Sequence, residues 1–188
     1  MGLDMYLHRV KKVKGFTPND FHTVDNALFG PHYRGDLKIT MLAVMEQYPG
    51  EIKISDEAME NIHELNEEVH VENPDYDWKS IMYKVGYWRK ANAIHKWFVD
   101  KVQEGIDRCE SYVVSKEKLQ DLLHDCNQIK DNKKLAKKMI PSAQGFFFGG
   151  TDYDEWYWQS IDNTIEIVTK ILTETNFDED QIMYHSSW

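Results

Sequence analysis

The stretch Ser80-Ile81-Met82-Tyr83-Lys84-Val85-Gly86-Tyr87-Trp88-Arg89-Lys90-Ala91-Asn92-Ala93-Ile94-His95-Lys96-Trp97-Phe98-Val99-Asp100-Lys101-Val102-Gln103 holds the decisive change of pattern. It reads as extended from Ser80 to Arg89 and as helical from Ala91 to Gln103. In the second half Ile94, Phe98 and Val102 recur on one helical face, and Gly105 follows as a stop. A strand that feeds directly into a helix implies a mixed architecture, and the flanking sequence extends it.

Upstream, Leu3 to Val10 alternates apolar and polar residues, the period of a half-buried strand. Thr17 before Pro18 reads as a cap and first helical residue, predicting a short helix from Pro18 to about Leu28 that ends near Gly30. Gly30-Pro31 and Gly35 form a loop, and Asp36 to Tyr48 fits either a strand or a short helix before Pro49-Gly50. Ser55 caps a helix with Ala58, Ile62, Leu65 and Val69 on one face and Glu57, Glu60, Glu64 and Glu67 on another.

Downstream, Ser115 caps a helix running to about Lys130, with Val114 and Leu119 placed as a hydrophobic staple. After Gly149-Gly150, Thr151 can cap the longest helix, with Asp154 at its third position as a capping-box variant. Tyr157, Ile161, Ile165, Val168 and Leu172 mark its inner stripe, which fades at Thr175-Asn176. Gln181 to His185 reads as a last strand able to pair beside the first. The expectation is a single compact α+β domain, residues 1–188, with a small antiparallel or mixed sheet packed with about four to five helices. No internal repeat or Gly/Ser linker divides the chain.

With 188 residues, 41% of them hydrophobic, the chain is long enough for one core and lacks any apolar run able to cross a bilayer. Its start, Met1-Gly2-Leu3-Asp4-Met5-Tyr6, has no secretory or myristoylation pattern, so a soluble, cytoplasmic protein is expected. Cys109 and Cys126 form no CxxC pair and read as reduced, mostly buried thiols. The net charge of −10 argues against general nucleic-acid binding. Glu51 to Asp77 holds ten acids against Lys53, and Asp152 to Asp180 holds nine against Lys170, so bases gather at Arg9–Lys14, Arg89–Lys90 and Lys130–Lys138.

Gly2-Leu3-Asp4-Met5-Tyr6-Leu7, Tyr87-Trp88-Arg89-Lys90-Ala91-Asn92, Ile94-His95-Lys96-Trp97-Phe98 and the run Phe146 to Trp158 resemble a family of small bacteriophage and prophage proteins. The resemblance spans most of the chain. It implies a phage or prophage accessory protein acting in the cytoplasm of the bacterial host, with counter-defence among the roles of that class. No catalytic or binding residue is carried over by it.

The candidate sites come from the residues themselves. Tyr87, Arg89, Lys90, Asn92 and His95 combine rings, cations and hydrogen-bonding groups, as a phosphorylated or carboxylated ligand with a ring would require. The ordinary reading makes Asn92 a helix cap and His95 a satisfied core histidine. Tyr153 and Trp156 lie off the inner stripe of their helix and suit a pocket wall or an interface. His63-Glu64-Leu65-Asn66-Glu67 approximates a zinc helix but has Glu67 in place of the second histidine, and with His70 nearby a solvated face still explains it better. Gly149-Gly150 before a helix suggests a phosphate turn, yet Asp152, Asp154 and Glu155 would repel the anion.

No catalytic residue, metal site or cofactor is expected. The first functional expectation is binding: Glu57, Glu60, Glu64 and Glu67 engaging a host protein, or the aromatic and cationic junction holding a nucleotide-like ligand. One alternative is a small metal-independent enzyme on a phosphorylated or nucleotide-like substrate, with His95 as acid or base and Arg89 as anion clamp. Another is a structural protein forming homo-oligomers through exposed rings.

Overall fold

The structure, a computed structural model, describes residues 2–22, 42–43, 45–46, 55–61, 82–145 and 148–188. The fold is α+β, with a four-stranded antiparallel sheet, as the alternation of patterns predicts. The chain divides into two compact units, one formed by Met1–Arg9 with Lys84–Trp188 and the other by Val10–Tyr83.

Along the chain, β1 (Asp4–Lys11) is followed by β2 (Met82–Arg89), α1 (Asn92–Lys101), β3 (Tyr112–Val114), α2 (Lys116–Asp131), a 3-10 turn (Lys133–Leu135), α3 (Ala136–Met139), α4 (Glu155–Glu174) and β4 (Asp180–Ser187). The sheet order is β2-β1-β4-β3, so the last strand lies beside the first. Strand β3 pairs antiparallel with β4 through Tyr112 with Tyr184, Val113 with Met183 and Val114 with Ile182. Three residues are too few to display an alternation, so β3 carries no readable period of its own.

The alternation in β1 sends Met5 and Leu7 into the core and leaves Tyr6 and His8 half-buried. Helices α1, α2 and α4 bury Ile94, Phe98, Leu119, Leu122, Ile161 and Val168 in the same cluster. Phe98 stacks on Tyr184 of β4 with ring centroids 4.0 Å apart and planes 12° apart. Two buried indoles find polar partners: Trp88 donates to Thr164 Oγ1 at 2.9 Å, and Trp97 to Asp125 at 2.9 Å. Gly86 lets the sheet approach α4, since a Cβ there would stand 2.7 Å from Ile167 Cγ2.

Two cap readings need correction. The helix after Gly149-Gly150 is capped by Asp154, whose carboxylate accepts from Tyr157 N–H, while Thr151 lies before it and gives its carbonyl to Ser142 Oγ. Aspartate ranks above threonine as an N-cap. Helix α1 begins after Ala91 and has no side-chain cap, so Asn92 does not cap it. Ser115 caps α2 as expected, accepting from Lys118 N–H.

In the second unit, Thr17 and Asp20 form a reciprocal capping box at helical residues 18–22. Ser55 Oγ accepts from Ala58 N–H at 3.1 Å ahead of helical residues 56–61. Gly15, at φ 81°, brings its Cα to Ala58, and Lys14 pairs with Glu57. Residues 42–43 and 45–46 are helical. The rest of the segments predicted over 18–28, 36–48 and 55–70 lies outside the described residues.

Candidate functional site

The strand-to-helix junction turns on Lys90. Its backbone sits in the left-handed region at φ 57°, unusual for a residue with a Cβ, and its N–H donates to Leu3 O at 2.8 Å. That turn ends β2 and starts α1 within two residues. Gly149, at φ 90°, packs against it, where a Cβ would stand 3.3 Å from Lys90 Cβ.

Asn92 fixes the facing loop. Its side-chain nitrogen donates to Gly150 O at 2.7 Å and Phe148 O at 3.2 Å, and its oxygen accepts from Ala143 N–H at 3.0 Å. Tyr153 Oη accepts from Ser142 N–H at 3.2 Å, and Tyr157 Oη donates to Ile140 O at 2.8 Å, so the loop is also held to the start of α4. The two helix N-termini thereby face one cavity of about 530 Å³.

Arg89 and Lys90, the first turn of α1, Asp152, Asp154 and Trp156 all line this cavity. Ala93, Ile94, Tyr157 and Ile161 are buried and supply apolar lining. Trp156 is 76% exposed, an unusual position for so large a ring. The helix ends differ in charge. Helix α4 carries Asp154 as cap and Glu155 in its first turn, whereas α1 has neither an acid in its first turn nor a side-chain cap. The backbone N–H groups at the start of α1, having no partner inside the helix, make its end the one suited to an anion. Among the described residues neither Arg89 nor Lys90 forms an ion pair with a carboxylate, and Asp152 has no hydrogen bond or ion pair.

Of the residues singled out in the sequence, Arg89, Lys90, Asn92 and Trp156 line the cavity. Tyr87, His95 and Tyr153 are not among its lining residues. The Tyr87 hydroxyl donates to Asp4, which holds its pKa above the ordinary tyrosine value, and its ring lies 5.3 Å from that of Tyr6. The Tyr153 ring rests 4.7 Å from Tyr157 with Lys137 over it at 5.7 Å.

His95 is 3% exposed and held from both ring nitrogens. Asp107 can only accept, so Nε2 carries the proton toward it at 3.0 Å, and Nδ1 accepts from Tyr184 Oη at 2.8 Å. Burial lowers the histidine's pKa despite the opposing pull of Asp107, which favours this neutral form. Trp188 Nε1 donates to the same Asp107 at 2.6 Å. Burial and Asp107 push the Cys109 thiol up, and burial does the same to Cys126; both cysteines are free, Cys109 half-buried and Cys126 fully buried.

Glu57 is paired with Lys14, Glu60 makes contacts of its own, and Glu64, Glu67 and His63 lie outside the described residues. Among the described residues no cluster of His, Cys, Asp and Glu could hold a metal ion, and no helix is long and apolar enough to cross a membrane. Asp152 lines the cavity although the sequence does not single it out as a ligand contact. Its signal is the acid-rich start of α4.

Comparison of the chain with protein-family models, with curated proteins and with solved structures gives no match.

Proposed function

We propose that this is a phage or prophage accessory protein of the host cytoplasm that works by binding, holding a small nucleotide-like ligand in the cavity between the starts of α1 and α4. One observation carries the reading: Arg89 and Lys90 line the same cavity as the uncapped first turn of α1, with no carboxylate paired to either among the described residues. Two cations and a helix N-terminus provide the donors a phosphate takes. The apolar lining and the exposed Trp156 suit a flat ring. Sequestering a nucleotide signal is the counter-defence role consistent with such a site.

The enzyme alternative loses its proposed acid or base, because His95 is engaged by Tyr184 and Asp107 away from the cavity lining. The test is titration calorimetry with nucleoside monophosphates and the matching nucleosides. Binding should require the phosphate, weaken at least tenfold in Arg89→Ala/Lys90→Ala, and return the nucleotide chemically unchanged after the protein is denatured. Parent-like affinity in that double variant would remove the reading.

A further inference from the structure

The cavity has a second polarity that a phosphate does not use. Among the described residues Asp152, which lines it, makes no hydrogen bond or ion pair, although Arg89 and Lys90 line the same space. Asp154, its neighbour, spends one oxygen on the Tyr157 N–H and keeps the other. Both carboxylates are exposed to solvent, and as acceptors at a cavity edge they can take hydrogen bonds from a ligand that brings donors. A ligand matched to this lining would bring an anion for Arg89 and Lys90, an apolar ring for Ile94, Ile161 and Trp156, and hydrogen-bond donors for Asp152.

The common bases differ sharply in this respect. A carboxylate presents two acceptors side by side and is best met by two parallel N–H donors, as in its pairing with a guanidinium. Guanine offers that pair on one edge, from N1–H and the 2-amino group. Adenine and cytosine each place a ring acceptor beside their amino group, and uracil flanks its single N–H with two carbonyls. Against each of these, one carboxylate oxygen would meet a lone pair.

Resting on the binding reading above, we propose that the cavity selects a guanine nucleotide, with Asp152 accepting from N1–H and the 2-amino group while Arg89 and Lys90 hold the phosphate. Asp152 is exposed and outside the core, so Asp152→Asn keeps the fold and replaces one acceptor with a donor.

The experiment is calorimetric titration of the whole protein with GMP, IMP and AMP, repeated on Asp152→Asn and on Arg89→Ala/Lys90→Ala. GMP should bind at least tenfold more tightly than AMP, and IMP, which lacks only the 2-amino group, should lose most of that advantage without any change to the protein. In Asp152→Asn the ratio of GMP to AMP affinity should fall to near one while AMP binding holds. Equal binding of GMP, IMP and AMP by the parent, or an unchanged ratio in Asp152→Asn, overturns the guanine assignment. The binding reading survives that result if Arg89→Ala/Lys90→Ala still loses all three. Failure of the parent to bind any of the three overturns both.

Discussion

The side-chain nitrogen of Asn92 donates to the carbonyl oxygen of Gly150 at 2.7 Å, joining the first residue of α1 to the turn that precedes α4. The same amide donates to Phe148 O and accepts from Ala143 N–H. One buried side chain thus satisfies three backbone groups across the cavity, and no other common residue offers two donors and an acceptor in so short a reach. Asn92→Ala should cost about 1–3 kcal/mol by leaving those groups without their partner. Urea denaturation measures the cost, and faster amide exchange at Ala143 would place it in the loop. Parent-like protection at Ala143 would mean that the contacts from Ser142 and Tyr157 hold the loop unaided.

A second buried link ties β2 to α4. Trp88 Nε1 donates to Thr164 Oγ1 at 2.9 Å, and that hydroxyl donates onward to Ser160 O at 2.7 Å. Thr164→Val keeps the volume and removes the acceptor, leaving the indole N–H unsatisfied at a residue 2% exposed. The expected loss is about 1–3 kcal/mol, with Thr164→Ser close to the parent. Denaturation midpoints of the two variants separate the hydrogen bond from the packing. Parent-like stability of Thr164→Val together with a loss in Thr164→Ser would assign the cost to the methyl and its packing instead.

Elements with a full period were legible in the sequence. Leu3 to Val10, Ser115 to Lys130 and the Tyr157 to Leu172 stripe were all placed, because eight or more residues display an alternation or a face. Strand β3 and the short helix α3, of three and four residues, display neither. The cavity was half legible for a related reason. Arg89, Lys90 and Asn92 stand together in sequence, but Asp152 and Trp156 join them through tertiary contacts such as Asn92 to Gly150, 58 positions apart, which leave no local pattern. His95 showed the limit in the other direction. Its position beside the apolar face of α1 fits an active-site base and a core histidine alike, and only Tyr184 and Asp107 distinguish them.

That histidine should make stability depend on pH. Its pKa in the fold lies below the ordinary 6.5, so as pH falls the unfolded chain takes up the proton first. Stability from the neutral ring is fully present above 6.5 and is lost as pH drops from there toward the lowered value. His95→Gln removes the titration together with the contacts to Tyr184 and Asp107. The variant should therefore trail the parent by most near pH 7.5, with the gap narrowing by about pH 5. Paired urea melts at the two values check this, since carboxylates common to both proteins cancel. A gap that widened on acidification would show that Asp107 outweighs burial and raises the histidine's pKa.

Lys90 separates stability from binding. A left-handed backbone costs a residue with a Cβ about 1–2 kcal/mol, a cost glycine escapes while losing about 0.5–1 kcal/mol through its freer unfolded chain. At φ 57°, with its N–H on Leu3 O, Lys90 keeps this conformation under tension from its own side chain. Lys90→Gly should consequently melt at or above the parent temperature while losing the ammonium of a cavity-lining residue. Lys90→Ala loses the ammonium but keeps the Cβ, and should melt near the parent. Both variants should weaken nucleotide binding by a similar factor, because both lack the same charge. Strain held at a cavity rim is expected where the residue serves a ligand. If both variants bind as the parent does, the conformation at Lys90 serves the strand-to-helix turn alone and the anion end of the site reduces to Arg89 and the start of α1.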